Sequence, residues 1–260
     1  MKKAKKIILI FAAIVVVLLL TLTAIFATAF AGNSETVAGK LPPPLDFVDV
    51  VKDSYVTVAI LDVGDGKVAL IDAGNDKSGA PILAELQARK LDPHAVTAIF
   101  LTHGHPDHVA AAMQFPEAKI YALAADIPLA QGLVGGHGLV TRFMPVHPSG
   151  VQVTRGLQDG EVVQVGNRSV HVLAIPGHTP GSAAYFVDGA LFLGDSAGAS
   201  SDGKLKPAPR IFTDDPEGNV RSLKELPARL AAAKLEVKEL VFAHTGPLMG
   251  VAGLEAFGRE

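Results

Sequence analysis

Thr102-His103-Gly104-His105-Pro106-Asp107-His108 packs three imidazoles and one carboxylate into a single short stretch, directly after the apolar run Ala98-Ile99-Phe100-Leu101. An uninterrupted apolar run of that kind is the pattern of a strand buried on both faces of a sheet. In an extended segment His103 and His105 point to the same side, so two ring nitrogens can reach one point. Asp107 and His108 follow in a turn that leads into a helix expected over 108–115, which aims them at a neighbouring point. Four ligand-type side chains from one loop suit one divalent ion poorly and two ions well. Gly104 and Pro106 constrain the backbone between them, and strand ends are where α/β sheets place their sites.

Three further residues share this placement after an apolar strand. His178 sits in Pro176-Gly177-His178-Thr179-Pro180-Gly181-Ser182 after a strand at 170–175, and Asp195 in Leu193-Gly194-Asp195 after a strand at 190–193. His244 sits in Ala243-His244-Thr245-Gly246-Pro247 after a strand at 240–242. Taken singly, each would read as structural; their common position is what selects them. Further strands are expected at 55–61, 68–71, 120–122, 162–165 and 183–187. Helices are expected at 81–90 and 220–235, with Pro227 kinking the second or starting another. The mixture predicts a layered α/β domain with no internal repeat.

With these residues in place, the sequence resembles the metallo-β-lactamase-fold hydrolases over roughly residues 56–250. The resemblance rests on His103-x-His105-x-Asp107-His108, the Pro-Gly-His178-Thr-Pro-Gly segment, Gly194-Asp195 and the late His244, in that order. Asp72, in Leu70-Ile71-Asp72-Ala73-Gly74, matches the family's early strand-end aspartate. It implies a four-layer αβ/βα sandwich with a two-metal site at the edge between the halves. His103, His105 and His178 would hold the first ion, Asp107, His108 and His244 the second, and Asp195 would bridge both. Asp72 would orient a ligand rather than bind metal. The cofactors implied are two divalent ions, zinc first, with iron and manganese as alternatives. Such a pair lowers the pKa of a shared water from about 15.7 to near 7, and Asp107 is the natural group to orient that water and relay its proton.

Departures from family patterns narrow the activity. Asp195 at the bridging position, in a chain with no Cys, disfavours antibiotic hydrolysis. His105 in place of Glu argues against the di-iron oxygen reductases. The thioesterase, lactonase and glyoxalase II-like branches remain, although Ser182 stands where glyoxalase II often has His. The expected function is therefore hydrolysis of an ester, thioester or lactone. The alternatives are a persulfide dioxygenase-like enzyme with one iron on His103, His178 and Asp195, and a non-catalytic metal-binding domain. No Gly-x-Ser-x-Gly elbow argues for a serine nucleophile. Two weaker candidates for substrate contact are His137, in Gly135-Gly136-His137-Gly138, and Arg210, at the end of a charged loop. His94, His147 and His171 read as cap, surface and sheet residues.

The N-terminus has a separate character. Lys2, Lys3, Lys5 and Lys6 precede a stretch, 7–31, without a single charge. At 1.5 Å per residue this exceeds the roughly 30 Å hydrocarbon core, and leading lysines stay cytoplasmic. Residues 1–32 are therefore expected to be a signal anchor, or a signal peptide cleaved after Ala31 in Ala29-Phe30-Ala31. Either way the remainder is exported, membrane-bound in the first case and secreted in the second. Residues 33–44, with Pro42-Pro43-Pro44, read as a stiff linker, and 45–260 as the metallo-β-lactamase-fold domain. Beyond the four lysines, 19 of the 23 bases face all 26 acids, a net charge of −7. With no basic run, that part is a poor nucleic-acid binder, and the expected partner is a small-molecule substrate.

Overall fold

The computed structural model describes residues 2–30 and 38–259, which fall into two units, Met1–Ala31 and Gly32–Glu260. In the first, α1 (Lys2–Phe30) is one helix of 29 residues, uninterrupted by glycine or proline. Thr21 and Thr23 turn their hydroxyls back onto the carbonyls of Val17 and Leu19, each at 2.8 Å, so these polar groups are satisfied within the helix. Among the described residues no helix is long and apolar enough to cross a membrane. Of the expected linker, 33–37 lies outside the described residues.

The second unit is a sandwich of two sheets. Its first half contributes β1 (Gly39–Lys40), β2 (Val48–Asp53), β3 (Val56–Asp62), β4 (Val68–Ile71), β5 (Val96–Phe100), β6 (Lys119–Leu123) and β7 (Arg155–Leu157). These lie side by side in sequence order, antiparallel from β1 to β4 and parallel from β4 to β7. The second half adds β8 (Val162–Val165), β9 (Arg168–Ala174), β10 (Ala183–Val187), β11 (Ala190–Phe192), a β12 (Ala197–Ala199)–β13 (Leu205–Pro207) hairpin, β14 (Glu239–Val241) and β15 (Leu248–Met249). Six of these make the second sheet, in the order β15-β14-β11-β10-β9-β8. Within it, β11 and β14 pair in parallel.

Alternation along each strand builds three apolar layers. In β3, Ala59 and Leu61 face the core between the sheets, while Val58 and Ile60 face outward onto helix, as the two-residue period of a strand requires. Phe100 of β5 meets Tyr185 of β10 edge-on across the central core, with ring centroids 5.3 Å apart. The outer face of the first sheet is covered by Ile82 and Leu86 of α2 (Ala80–Ala88). The outer face of the second is covered by Leu223, Leu226 and Leu230, together with Leu254. Strands buried on both sides have no polar face, which is why their sequences are unbroken apolar runs.

Three local expectations are corrected. The helix expected over 108–115 is replaced by the short α3 (Pro106–Val109) and a separate 3-10 turn at Ala112–Gln114, because this segment is held by sheet-edge bonds such as Ala111 N to Ala73 O at 3.1 Å. After α4 (Ile127–Ala130), α5 (Pro216–Ala232) runs on through Pro227, so of the two expected outcomes the start of another helix is the one corrected. A mid-helix proline costs about 3 kcal/mol, and burial of Leu223, Leu226 and Leu230, at roughly 1.5–3 kcal/mol each, outweighs it. The last helix, α6 (Ala252–Arg259), packs beside α5. The linker also ends earlier than 44: β1 pairs with β2, and Leu41 and Leu45 are buried in the central core.

Candidate metal centre

Parallel β4 and β5, and parallel β11 and β14, discharge their chains toward one edge of the sandwich. Asp72 follows β4, the 103–108 loop follows β5, His178 follows β9, Asp195 follows β11 and His244 follows β14. The sharp exits need special backbones. Asp72 itself has φ 64 and Gly194 has φ 52, left-handed values that L side chains adopt at a cost. At Gly194 a Cβ would also lie 2.7 Å from Cβ of Thr102, so glycine is what lets the Asp195 turn sit against the histidine loop.

All seven ligand-type residues converge. His103, His105 and His178 form one group, His103, His108 and Asp195 a second, and Asp107, His108 and His244 a third, each with its ligand atoms mutually within 4.8 Å. Nε2 of His103 is 3.0 Å from Nδ1 of His105, and Nε2 of His178 is 3.3 Å and 3.1 Å from the same two atoms. Ligands about 2.05 Å from a tetrahedral zinc are separated by about 3.3 Å, so this spacing fits a cation. Oδ1 of Asp195 lies 3.2 Å from Nε2 of His108 and 3.0 Å from Nε2 of His244. Its Oδ2 lies 3.7 Å from Nε2 of His178 and 4.0 Å from Nε2 of His103. Asp195 is thus between the groups. Oδ2 of Asp107 is 3.6 Å and 3.8 Å from Nε2 of His244 and His108.

The outer bonds of the rings fix which nitrogen faces inward. Asp72 Oδ2 accepts from His108 Nδ1 at 2.8 Å and from the Thr102 hydroxyl at 2.8 Å, and Thr102 Oγ1 in turn accepts from His103 Nδ1 at 3.1 Å. His178 Nδ1 donates to Thr213 Oγ1 at 3.3 Å, whose proton goes to the Pro209 carbonyl. His244 Nδ1 donates to the Tyr55 carbonyl at 2.8 Å. Each of these four rings therefore turns Nε2 inward, the atom that would face a metal once it carries no proton. Nε2 of His105, Nε2 of His108 and Oδ1 of Asp195 are buried without a hydrogen-bond partner. Unpaired buried polar atoms are costly, and a cation at this point would give the inward-facing two, His108 Nε2 and Asp195 Oδ1, a partner.

Electrostatics divide the cluster. Burial and then the neighbouring His108 hold His103 well below the usual imidazole range, and burial with His105 pushes His178 down to about 3. Burial also lowers His105, against the pull of Asp195 and Asp107. For His108 burial acts downward too, but Asp195, Asp72 and Asp107 outweigh it and raise it well above the usual range. His244 is likewise raised, Asp195 overcoming burial. Burial would raise Asp195, yet His244 and His108 hold it ionised. Burial thus favours the neutral form of the histidine trio, while the Asp195 side is a charge-dense pocket that a cation would occupy in place of protons.

Asp126 was not among the residues singled out from sequence. It is fully buried and accepts from Gly104 N at 2.7 Å, Thr179 Oγ1 at 2.8 Å and Gly181 N at 2.7 Å. It therefore clamps the turn between His103 and His105 to the loop that carries His178. Burial pushes its carboxyl up despite these donors. The strand-end rule that marked Asp72 and Asp195 marks Asp126 too, three residues past β6. Thr102, Thr213 and Tyr55 are further orienting partners without a sequence signal. Ser182 bonds Thr179 N at 2.9 Å and shapes its loop. Arg210 is not brought to the cluster: it pairs with Glu217 at 2.6 Å on the surface. The exposed His137 side chain is not part of it either; its backbone N is held by Asp214 at 2.6 Å.

The sequence profile of the metallo-beta-lactamase superfamily matches residues 51–244. A hydroxyacylglutathione hydrolase from a Synechococcus species is 30% identical over 213 residues, covering 77% of this chain and 72% of its own length. Another from Salmonella typhi is 28% identical over 165 residues, and the chain spans 54% of its length. Among solved structures, a B3 metallo-beta-lactamase with an active-site glutamic acid superposes with a TM-score of 0.61 at 21% identity, covering 90% of this chain and 89% of its own. A metallo-beta-lactamase family protein from Thermus thermophilus gives 0.57 at 24% identity, with coverage of 86% and 77%. At these identities the structural likeness establishes the fold.

Proposed function

The chain belongs to the metallo-beta-lactamase superfamily and is a hydrolase, and on that premise we propose that it cleaves ester, thioester or lactone bonds with a pair of divalent ions, zinc first. The observation that carries this is the convergence of seven His and Asp side chains in three overlapping groups that share His103, His108 and the central Asp195. His103, His105 and His178 would hold one ion, and Asp107, His108 and His244 the other, with Asp195 between them. When bound, such a pair would acidify a water to near neutral pH and polarise the carbonyl oxygen of the acyl group whose carbon is attacked.

The protein's own groups do the rest. Asp107, partly exposed at the start of α3, takes the proton of the attacking water and returns it to the leaving oxygen or sulfur. Asp72 and Thr102 keep the His103 and His108 rings from rotating. Buried Leu101 and Val109 flank the loop and exclude bulk water from behind it. The similarity to hydroxyacylglutathione hydrolases favours thioesters among the bond types. We further propose that residues 1–32 export the chain and anchor it, leaving the hydrolase on the far side of the membrane. The four lysines followed by an uncharged apolar stretch support that reading.

Elemental analysis of the purified full chain should give about two metal equivalents, with turnover in a panel of thioesters, lactones, β-lactams and phosphodiesters highest on a thioester or lactone. Iron with oxygen consumption would instead establish the oxygenase alternative. One tightly held ion and no hydrolysis would establish a binding domain.

A further inference from the structure

A cleft of about 80 Å³ opens on the surface, lined by Leu129, Val134, Met144, Pro145 and Val146 and, among polar side chains, by Thr141, His147 and His105 of the cluster. No Lys, Arg, Asp or Glu is among the residues that line it. The same segment exposes an unusual set of large apolar side chains: Leu133 at 62%, Leu139 at 58% and Phe143 at 80%, with Val134, Met144 and Val146 between 47% and 49%. Large apolar side chains exposed together on one segment mark a place where something apolar binds.

This segment is built rather than loosely draped. At one end Ser149 bonds the carbonyls of Gln131 and Ala130, at 3.0 Å and 2.7 Å. In the middle, one oxygen of Asp214 accepts from His137 N at 2.6 Å and Gly138 N at 2.8 Å. Asp214 N in turn donates to the carbonyl of His178 at 3.1 Å, and Val140 N to that of Ile211 at 2.9 Å. The apolar wall is thus fixed to the backbone of a residue in the histidine cluster, so its position is set relative to the reacting centre.

We propose that this wall is a substrate subsite that takes an uncharged hydrocarbon arm of the ester or thioester, selecting apolar substrates over charged ones. The inference rests on the hydrolase reading for the identity of the scissile bond. Lining chemistry supplies the rest: with no carboxylate, ammonium or guanidinium to meet a charged arm, the cleft gains mainly by burying carbon. The arm is either the acyl chain or the alcohol or thiol side, and the test separates the two.

The test uses the metal-loaded full chain in detergent-free lipid discs. N-acetylcysteamine thioesters form an acyl series from acetyl to hexanoyl, and acetyl thioesters of methyl to pentyl thiols form a leaving-group series. A fully buried methylene is worth about fourfold, so kcat/KM should rise at least about tenfold along one series. In the double variant Val134→Asp, Met144→Asp, that rise should fall below about threefold, with metal content and melting temperature read in the same samples. The S-methyl and S-hexyl thioethers of N-acetylcysteamine give a binding readout without turnover: the hexyl compound should bind at least about tenfold tighter to the parent and not to the variant. Active enzyme with both series flat, equal thioether affinities, or a chain-length dependence that survives the variant would each overturn the subsite while leaving the hydrolase intact. Selective hexyl binding without hydrolysis of any thioester would keep the subsite and refute the hydrolase reading.

Discussion

Replacing Asp126 by Asn changes one atom and tests whether a buried clamp sets the geometry of the histidine trio. Its two oxygens receive three donors: Gly104 N and Thr179 Oγ1 on Oδ2, Gly181 N on Oδ1. Asparagine must turn its NH₂ toward one side or the other. Facing Gly181 it meets a backbone N–H; facing Gly104 it meets another. The Thr179 hydroxyl can rotate toward Ser182, 2.8 Å away, but the amides cannot. One buried N–H is therefore left unpaired in either orientation, at about 1–3 kcal/mol. At roughly 2 kcal/mol the metal-free domain should melt about 4–8 °C lower.

The second consequence is larger and more specific. Gly104 lies between His103 and His105, and Thr179 follows His178, so loosening the clamp moves all three nitrogens that sit within 3.3 Å of one another. Loss of such outer partners weakens metal binding by about 10- to 100-fold. Competition against a chromophoric chelator measures this on the same sample whose metal-free melting is recorded. Zinc affinity within about twofold of the parent, in a variant that melts lower as expected, would refute the claim that Asp126 sets the trio.

Other outcomes follow from the same geometry. Asp107→Ala should lower turnover by at least about a hundredfold in steady-state kinetics, while metal analysis still finds the ion of the histidine trio. Gly104→Ala places a Cβ against the Ala130 nitrogen and 2.9 Å from the Leu129 carbonyl carbon; overpacking should cost about 1–3 kcal/mol in denaturant unfolding and weaken zinc binding. Removing metal with a chelator should lower the melting point by roughly 8–16 °C when the ion had been present at about a thousand times its Kd, about 4 kcal/mol of linkage, with recovery on adding zinc back. Leu226→Ala, deep under the second sheet, should cost about 2–5 kcal/mol of unfolding free energy without changing metal stoichiometry.

Much of this protein is written in local pattern. The apolar runs at 98–101, 190–193 and 240–242 identify themselves as strands, because burial on both faces leaves no place for polar residues, while 170–175 reads as a strand around the half-buried His171. The polar residue that ends each run then marks the edge where chemistry collects. That logic reaches all seven converging side chains and Asp72. Asp126 obeys it too, three residues past the end of β6 just as Asp195 stands three past β11, but its neighbours Ala124 and Ala125 form no motif that singles it out. Substrate contacts are less legible. Arg210 has the right charge, but its guanidinium is spent on Glu217 at the surface, and His137 serves through its backbone.

What the tertiary structure alone decided are the relations that no periodicity encodes. Whether a proline interrupts α5 depends on how three leucines pack beneath it, and whether residues 39–45 are linker or core depends on β2 lying beside them. Which ring nitrogen faces inward depends on partners far along the chain, 36 residues for the Asp72 bond to His108 and 189 for the Tyr55 carbonyl at His244. Side-chain type and strand ends follow from short-range sterics and burial, so the sequence determines them position by position. Distances between loops follow from how two sheets close on a shared core, and that is a property of the whole chain.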